Sequence, residues 1–201
     1  MSLINLNYDA RCKSVSDINE HLPILSGLAS ECESVIELGV RGVVSSWAFA
    51  HGLKRGGRMF MNDLDDCVVN EFIRVAKAEK DIDVTFVKGN DLEIELPPKS
   101  DILFIDTWHV YGQLKRELAR YESLASKYIV LHDTTVDGEK GESLRMGMNI
   151  LEQSNQTGIP VDEITKGLWP AVEEFLVAFP HWILKERLIN NNGLTILTRS
   201  P

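Results

Sequence analysis

Between Asp17 and Asp133, short runs rich in β-branched and apolar residues alternate with segments of helical length. That alternation leaves few architectures open, because a strand that returns to the same sheet through a helix pairs in parallel and needs helices on both faces. Strands are expected at Ser34 to Leu38, Arg58 to Asn62, Val84 to Val87, Asp101 to Ile105 and Tyr128 to Leu131. Helices fall between them, at about Val43 to Lys54, Cys67 to Lys80 and Tyr111 to Leu124, where apolar residues recur at three and four positions. Asp17 and Glu20 have the spacing of a capping box and should open a helix carrying Ile18, Leu22, Leu25 and Leu28. Past Asp133 the pattern changes. Val136 to Gly147 is polar, contains three glycines and reads as a loop that covers a site. A helix at Trp169 to Phe179 and two strands, Trp182 to Ile189 and Leu194 to Thr198, complete the chain. Asn190-Asn191-Asn192-Gly193 between those strands marks an antiparallel hairpin, since Asn and Gly accept positive φ at little cost.

The 201 residues read as one domain with a continuous core. Thirty acidic against 21 basic residues give a net charge of -9, which disfavours nucleic acid and anionic membranes as partners. No run approaches the ~18 apolar residues of a membrane span, and Met1 to Ser16 is too polar for a secretory leader. A soluble, cytoplasmic protein acting on a small molecule is the expectation. Cys12, Cys32 and Cys67 are odd in number and widely spaced, and read as reduced packing residues.

Two places carry chemistry. The first is Glu37-Leu38-Gly39-Val40-Arg41-Gly42, where a strand turns into a helix and doubly wound folds bind nucleotides. Asp63, 21 residues after Gly42, ends the next strand, where a carboxylate can accept from both ribose hydroxyls. The loop lacks the third glycine of the dinucleotide fingerprint. Glu37 at its mouth would repel pyrophosphate and attract a sulfonium or ammonium group. S-adenosylmethionine therefore fits better than NAD. The second place is the pair of strand ends at Asp106 and His132-Asp133. Clustered carboxylates need a cation or a proton to offset them, so a divalent metal site is expected, with Mg²⁺ the default for oxygen donors. His132 also admits Mn²⁺, Fe²⁺ or Zn²⁺, or a metal-free site with a histidine base.

In order and spacing, Glu37-Leu-Gly-Val-Arg-Gly, Asp63-Leu-Asp65, Asp106 followed by His109 and Tyr111, and His132-Asp133-Thr134 resemble class I S-adenosylmethionine-dependent methyltransferases. The similarity runs from about Ser34 to Asp133 and is closest to the branch of macrolide-sugar O-methyltransferases and cephalosporin hydroxylase-like proteins. It implies a Rossmann-like, mainly parallel seven-stranded sheet with the terminal hairpin. It also implies cofactor contacts from Glu37, Gly39 and Gly42 at the methionine end, Asp63 at the ribose, and Asn90 and Asp91 at the adenine edge. The metal ligands would be Asp106, His132 and Asp133, with Mg²⁺ or Mn²⁺ bound, and Asp106 and His109 would act on a small-molecule hydroxyl acceptor.

Two rival readings stand beside this one: an NAD-type oxidoreductase, and a protein that binds the cofactor without turnover. Trp108 could wall the pocket or pack beneath it; Tyr111, Trp169 and Trp182 fit core positions, and Arg145 reads as a solvated loop residue. His21, His51 and His181 receive no role. Acceptor identity and oligomeric state, a homo-oligomer included, are left open.

Overall fold

The computed structural model describes residues 2–200. Its elements in chain order are α1 (Leu3–Lys13), α2 (Leu22–Ser30), β1 (Ser34–Leu38), α3 (Val44–Gly52), β2 (Arg58–Asp63), α4 (Asn70–Lys80), β3 (Asp83–Lys88), β4 (Ser100–Ile105), α5 (Tyr111–Tyr121) and β5 (Ala125–His132). They are followed by α6 (Glu142–Arg145), α7 (Ile150–Thr157), α8 (Val161–Thr165), α9 (Trp169–Ala178), β6 (Trp182–Leu188) and β7 (Leu194–Arg199).

Seven strands form one sheet in the order β3-β2-β1-β4-β5-β7-β6. The first five are parallel; β7 runs antiparallel to both β5 and β6, so the expected hairpin closes the edge. The chain builds outward from β1 to β3, then returns to β1's other side with β4. The carboxyl ends of β1 and β4 thus form the switch point where folds of this kind bind ligands.

Side-chain parity decides what reaches that edge. Val35, Ile102, Phe104 and Val130 belong to the core under α1 to α4, with Trp47, Phe49 and Phe72. Ile36, Leu38, Leu103, Ile105, Ile129 and Leu131 face the other way, onto α5 and α9, with Tyr121, Phe175 and Trp182. Each large side chain buried this way contributes ~1.5–3 kcal/mol. Glu37 shares the parity of Val35, and His132 that of Val130, so both are carried on the α1–α4 face.

The polar opening segment, to which the sequence reading assigns no element, is a helix, α1, although Ile4 is its one fully buried residue. Its start is held instead by polar contacts: Ser2 Oγ accepts from Asn5 N, and Glu79 accepts from Ser2 Oγ at 2.6 Å and Leu3 N at 2.7 Å. Asp17 and Glu20 do not box a helix start; a 3₁₀ turn spans Asn19–His21, and α2 begins at Leu22 with Pro23 in its first turn. The segment after Asp133 is no open loop, since α6 lies within it and Asp137 and Ser143 are buried.

Among the described residues, no helix is long and apolar enough to cross a membrane.

Candidate active site

The glycine loop is tightly tied to the sheet. Gly39 N donates to Asn62 O at 2.9 Å, and Asp106 N donates to Leu38 O at 2.8 Å, which brings the ends of β1, β2 and β4 together. Gly39 has φ +86, and a Cβ there would lie 1.9 Å from the Asp106 carbonyl oxygen. Glycine is required at this position by the fold itself. Gly42 differs: its φ is unexceptional, and a Cβ would meet only Val44 Cγ2 at 3.6 Å. Neither backbone nor packing demands glycine there, so its effect is to leave room. A cleft of about 360 Å³ borders the loop, lined by Arg11, Arg41, Gly42, Trp47, Cys67 and Phe72 among others. That volume falls in the small-molecule range.

The carboxylates on this side are engaged by the chain. Asp63 Oδ2 accepts from Val40 N at 2.9 Å and Arg41 N at 2.8 Å, and Oδ1 from Asp65 N at 3.0 Å. Burial raises its pKa, but these backbone donors outweigh that and leave it below the usual range. They also hold Arg41 (φ 42) in the left-handed region, in a loop where the β-branched Val43 (φ 57) is left-handed too.

Glu37 does not lie at the mouth of the loop. It is fully buried and points at the start of α3, where Ser45 Oγ donates to Oε1 at 2.5 Å and Ser46 Oγ to Oε2 at 2.8 Å. Burial lifts its pKa to about 7 against the lowering effect of the two hydroxyls. The parity of β1 is the reason: Glu37 must face α3, and Ser45 and Ser46 follow at the positions that can satisfy it.

Asn90 and Asp91 follow β3. Asn90 Oδ1 accepts from Leu92 N, a local turn, while Asp91 is buried and accepts from Gln113 Nε2 at 3.0 Å. Gln113 also donates to Glu117, which accepts from Thr107 Oγ1 as well. Asp91 therefore faces α5 rather than an open adenine edge.

At the ends of β4 and β5 Asp106, His132 and Asp133 converge, and His109 faces the same cluster. His109 Nε2 lies 3.1 Å from Asp106 Oδ1 and 3.1 Å from Asp133 Oδ2. His132 Nδ1 lies 3.2 Å from Asp106 Oδ1 and 3.5 Å from Asp133 Oδ2. Asp133 sits at φ 57, a conformation aspartate tolerates, and is buried with no partner for Oδ1. Donor atoms of Asp106, His109 and Asp133 all fall within 4.8 Å of one another.

Electrostatics reflect the crowding. Burial alone would raise the Asp106 carboxyl, but His132 and His109 hold it well below the usual range. Burial disfavours charge on His132, yet Asp106 and Asp133 raise its pKa to about 10. His109 is likewise raised well above its ordinary value by Asp106, Asp137 and Asp133 against its burial.

A second layer surrounds this group. His109 Nδ1 faces Asp137 Oδ2 at 3.6 Å and Glu142 Oε2 at 3.5 Å. Asp137 is fully buried and clamped by Arg145, Nε to Oδ1 at 2.6 Å and Nη2 to Oδ2 at 3.0 Å. Arg145 stays largely exposed at the end of α6, as expected of a solvated residue, and is in addition the ion-pair partner of Asp137. His132 Nε2 donates to Asp17 O at 3.2 Å. That carbonyl is brought there by the hairpin tip, where Asn191 Nδ2 donates to Ser16 O and the Asn190 and Asn191 carbonyls accept from His21 Nε2. Trp108 Nε1 donates to Ser143 Oγ at 3.0 Å, fastening α6 over the cluster. Asp137, Glu142 and the Asp17 carbonyl escaped the reading of the sequence; the signal available was an Asp and an Arg eight residues apart in an otherwise glycine-rich segment.

The cluster fits a cation on its own chemistry. Two carboxylates and two imidazoles converge and one buried carboxylate oxygen is orphaned; the two rings offset the acids by holding protons, and a cation can take the place of those protons.

No protein-family model matches the sequence, and no curated protein matches it. Solved structures do. An O-methyltransferase from Bacillus cereus in complex with SAH aligns over 98% of this chain and 88% of its own, at 16% identity and TM-score 0.62. TomG from Streptomyces achromogenes, an O-methyltransferase involved in tomaymycin synthesis and solved with SAM, aligns over 98% and 89%, at 14% identity and TM-score 0.56. A putative caffeoyl-CoA O-methyltransferase from Staphylococcus aureus aligns over 100% and 93%, at 17% identity and TM-score 0.57. From end to end, this chain has the Rossmann-like fold of the class I O-methyltransferases.

Proposed function

We propose that the protein transfers a methyl group from S-adenosylmethionine to a hydroxyl of a small molecule, a sugar or secondary metabolite, with help from a divalent cation. One observation carries the reading. Gly39 abuts the Asp106 carbonyl, so the loop expected to carry the cofactor and the polar cluster expected to receive the acceptor are contiguous. Methyl transfer is an in-line displacement at carbon, and donor and acceptor must meet within van der Waals reach. A fold that presses these two elements together meets that demand.

Gly42 leaves space beside the loop, and Asp63, with lone pairs left over from its backbone donors, is the carboxylate available to ribose hydroxyls. Glu37 acts from behind the loop, bracing the start of α3, and not by direct contact with the methionine end. On the acceptor side, Asp106 and Asp133, with His132, would hold the cation, whose charge when bound polarises the acceptor hydroxyl and lowers its pKa. The Asp106 carboxylate, with His109 Nε2 3.1 Å from its Oδ1, would take up the proton that the hydroxyl releases. Segment 136–147, tied down by Trp108 and Arg145, would cover that site and limit the access of water.

Calorimetric titration of metal-stripped protein with S-adenosylmethionine, S-adenosylhomocysteine and NAD tests the reading. Binding of both adenosyl compounds and not NAD is the expected result. NAD binding without either adenosyl compound overturns it in favour of an oxidoreductase.

A further inference from the structure

The outward-facing nitrogens of the two cluster histidines settle what the inward ones can do. His132 Nε2 contacts the Asp17 carbonyl, which can only accept, so the ring proton of a neutral His132 sits on Nε2 and the lone pair on Nδ1. His109 Nδ1 faces two carboxylates, Asp137 and Glu142, which places its proton there and its lone pair on Nε2. His109 Nε2 and His132 Nδ1 each lie against the same two carboxylate oxygens, Asp106 Oδ1 and Asp133 Oδ2, at 3.1, 3.1, 3.2 and 3.5 Å; without a metal these are contacts of protonated rings, and a bound cation would take the place of those two protons. Donors bound at ~2.1 Å to one tetrahedral or octahedral ion lie ~3.0–3.4 Å apart, so Asp106, His109 and Asp133, whose donor atoms all lie within 4.8 Å of one another, can close on a single cation with small movements, and His132 Nδ1 borders the same two oxygens. The buried, unpartnered Asp133 Oδ1 is an independent sign that this carboxylate awaits a partner the chain does not supply.

Resting on the metal-assisted reading above, we propose that the cluster is a two-imidazole, two-carboxylate centre for a first-row transition cation such as Mn²⁺, Co²⁺ or Zn²⁺ in preference to Mg²⁺, and that Asp137, clamped by Arg145, is the residue that positions His109 for it. Magnesium prefers oxygen donors and sheds water reluctantly, whereas imidazole nitrogen suits the later divalent ions. Asp137 is suited to its part because it cannot rotate away. Both its oxygens are held by one guanidinium, and its N–H donates to the Asp133 carbonyl at 3.1 Å, so it moves only with the turn that carries a ligand.

The test uses metal-stripped full-length protein without S-adenosylmethionine. Co²⁺ is titrated by visible absorption, Mg²⁺ by calorimetry, and Cu²⁺ by electron paramagnetic resonance. Co²⁺ binding at least ~100-fold tighter than Mg²⁺, and a Cu²⁺ spectrum with two coupled nitrogens that falls to one in His109→Gln and in His132→Gln, is the expected result. Asp137→Asn, which also breaks a buried ion pair and should lower the Tm, should weaken Co²⁺ ~10–100-fold in the protein that remains folded, as loss of outer-layer carboxylates on ligand histidines does. Arg145→Gln, altering a partly exposed side chain, should give a smaller loss in the same direction and serves should Asp137→Asn not fold. Mg²⁺ binding as tightly as Co²⁺, no cation bound at millimolar concentration, or Co²⁺ affinity unchanged in both Asp137→Asn and Arg145→Gln would overturn the proposal. Co²⁺ binding with no affinity for S-adenosylmethionine would leave this centre standing and remove the methyl-transfer reading alone.

Discussion

The two halves of the carboxyl edge solve the problem of buried charge in opposite ways. On the β1–β2 side, Glu37 and Asp63 have donors for every carboxylate oxygen: Ser45, Ser46 and the backbone of Val40, Arg41 and Asp65. On the β4–β5 side, Asp106 and Asp133 meet two imidazoles whose other nitrogens already serve the protein, and Asp133 Oδ1 meets nothing. The first region is complete without a ligand, and its acids shape a loop. The second balances its acids only by holding protons on two buried rings and still leaves Asp133 Oδ1 unsatisfied, and such incompleteness is the better pointer to chemistry.

The largest effect should come from the incomplete side. Asp106→Asn removes one carboxylate charge from the cluster; methyl transfer should fall by ~10²–10³-fold with S-adenosylmethionine affinity nearly unchanged, read from turnover and calorimetry together. Unchanged turnover would take Asp106 out of the reaction.

Next comes Glu37, whose folded pKa of about 7 stands above its ordinary 4.5. The folded protein then binds the extra proton between those values, so the contribution of Glu37 to stability is fully present below pH ~4.5 and is lost as pH rises through ~7, by roughly 3 kcal/mol, against the opposite trend of the acids whose pKa is lowered. Glu37→Gln should abolish that part of the slope and stabilise the protein at pH 8, as urea melts across pH would record. A slope that survives the substitution belongs to another group.

The two loop glycines sharpen the contrast further. Gly39→Ala drives a Cβ into the Asp106 carbonyl at positive φ and should cost ~2 kcal/mol or more, with loss of the cluster's geometry. Gly42→Ala meets no obstacle, so stability should change by less than ~1 kcal/mol while S-adenosylmethionine affinity falls. Equal Tm losses in the two variants would erase the distinction between a structural and a space-keeping glycine.

Much of this was legible in the chain. Strand runs, glycine turns and the Asn190 to Gly193 hairpin are local signals, and the structure places them within a few residues of where the sequence puts them. Asp106, His132 and Asp133 were legible too, because strand ends in a parallel sheet share one edge. The direction of Glu37 was readable and missed: Val35 and Glu37 have the same parity, so an acid there faces α3. α1 was hidden because its start is held by Glu79 of α4, seventy-seven residues from Ser2. Asp137 and Glu142 were hidden because His109 meets them through a fold-back that no periodicity marks.

Crystals grown with Mn²⁺ and S-adenosylhomocysteine, measured at a wavelength where manganese scatters anomalously, put the account to its most direct test. It predicts a single strong anomalous peak among Asp106, His109, His132 and Asp133, with the homocysteine sulfur lying over Gly39 on the side of that peak. A peak elsewhere, with these four side chains unchanged and no nucleoside at the loop, would contradict it.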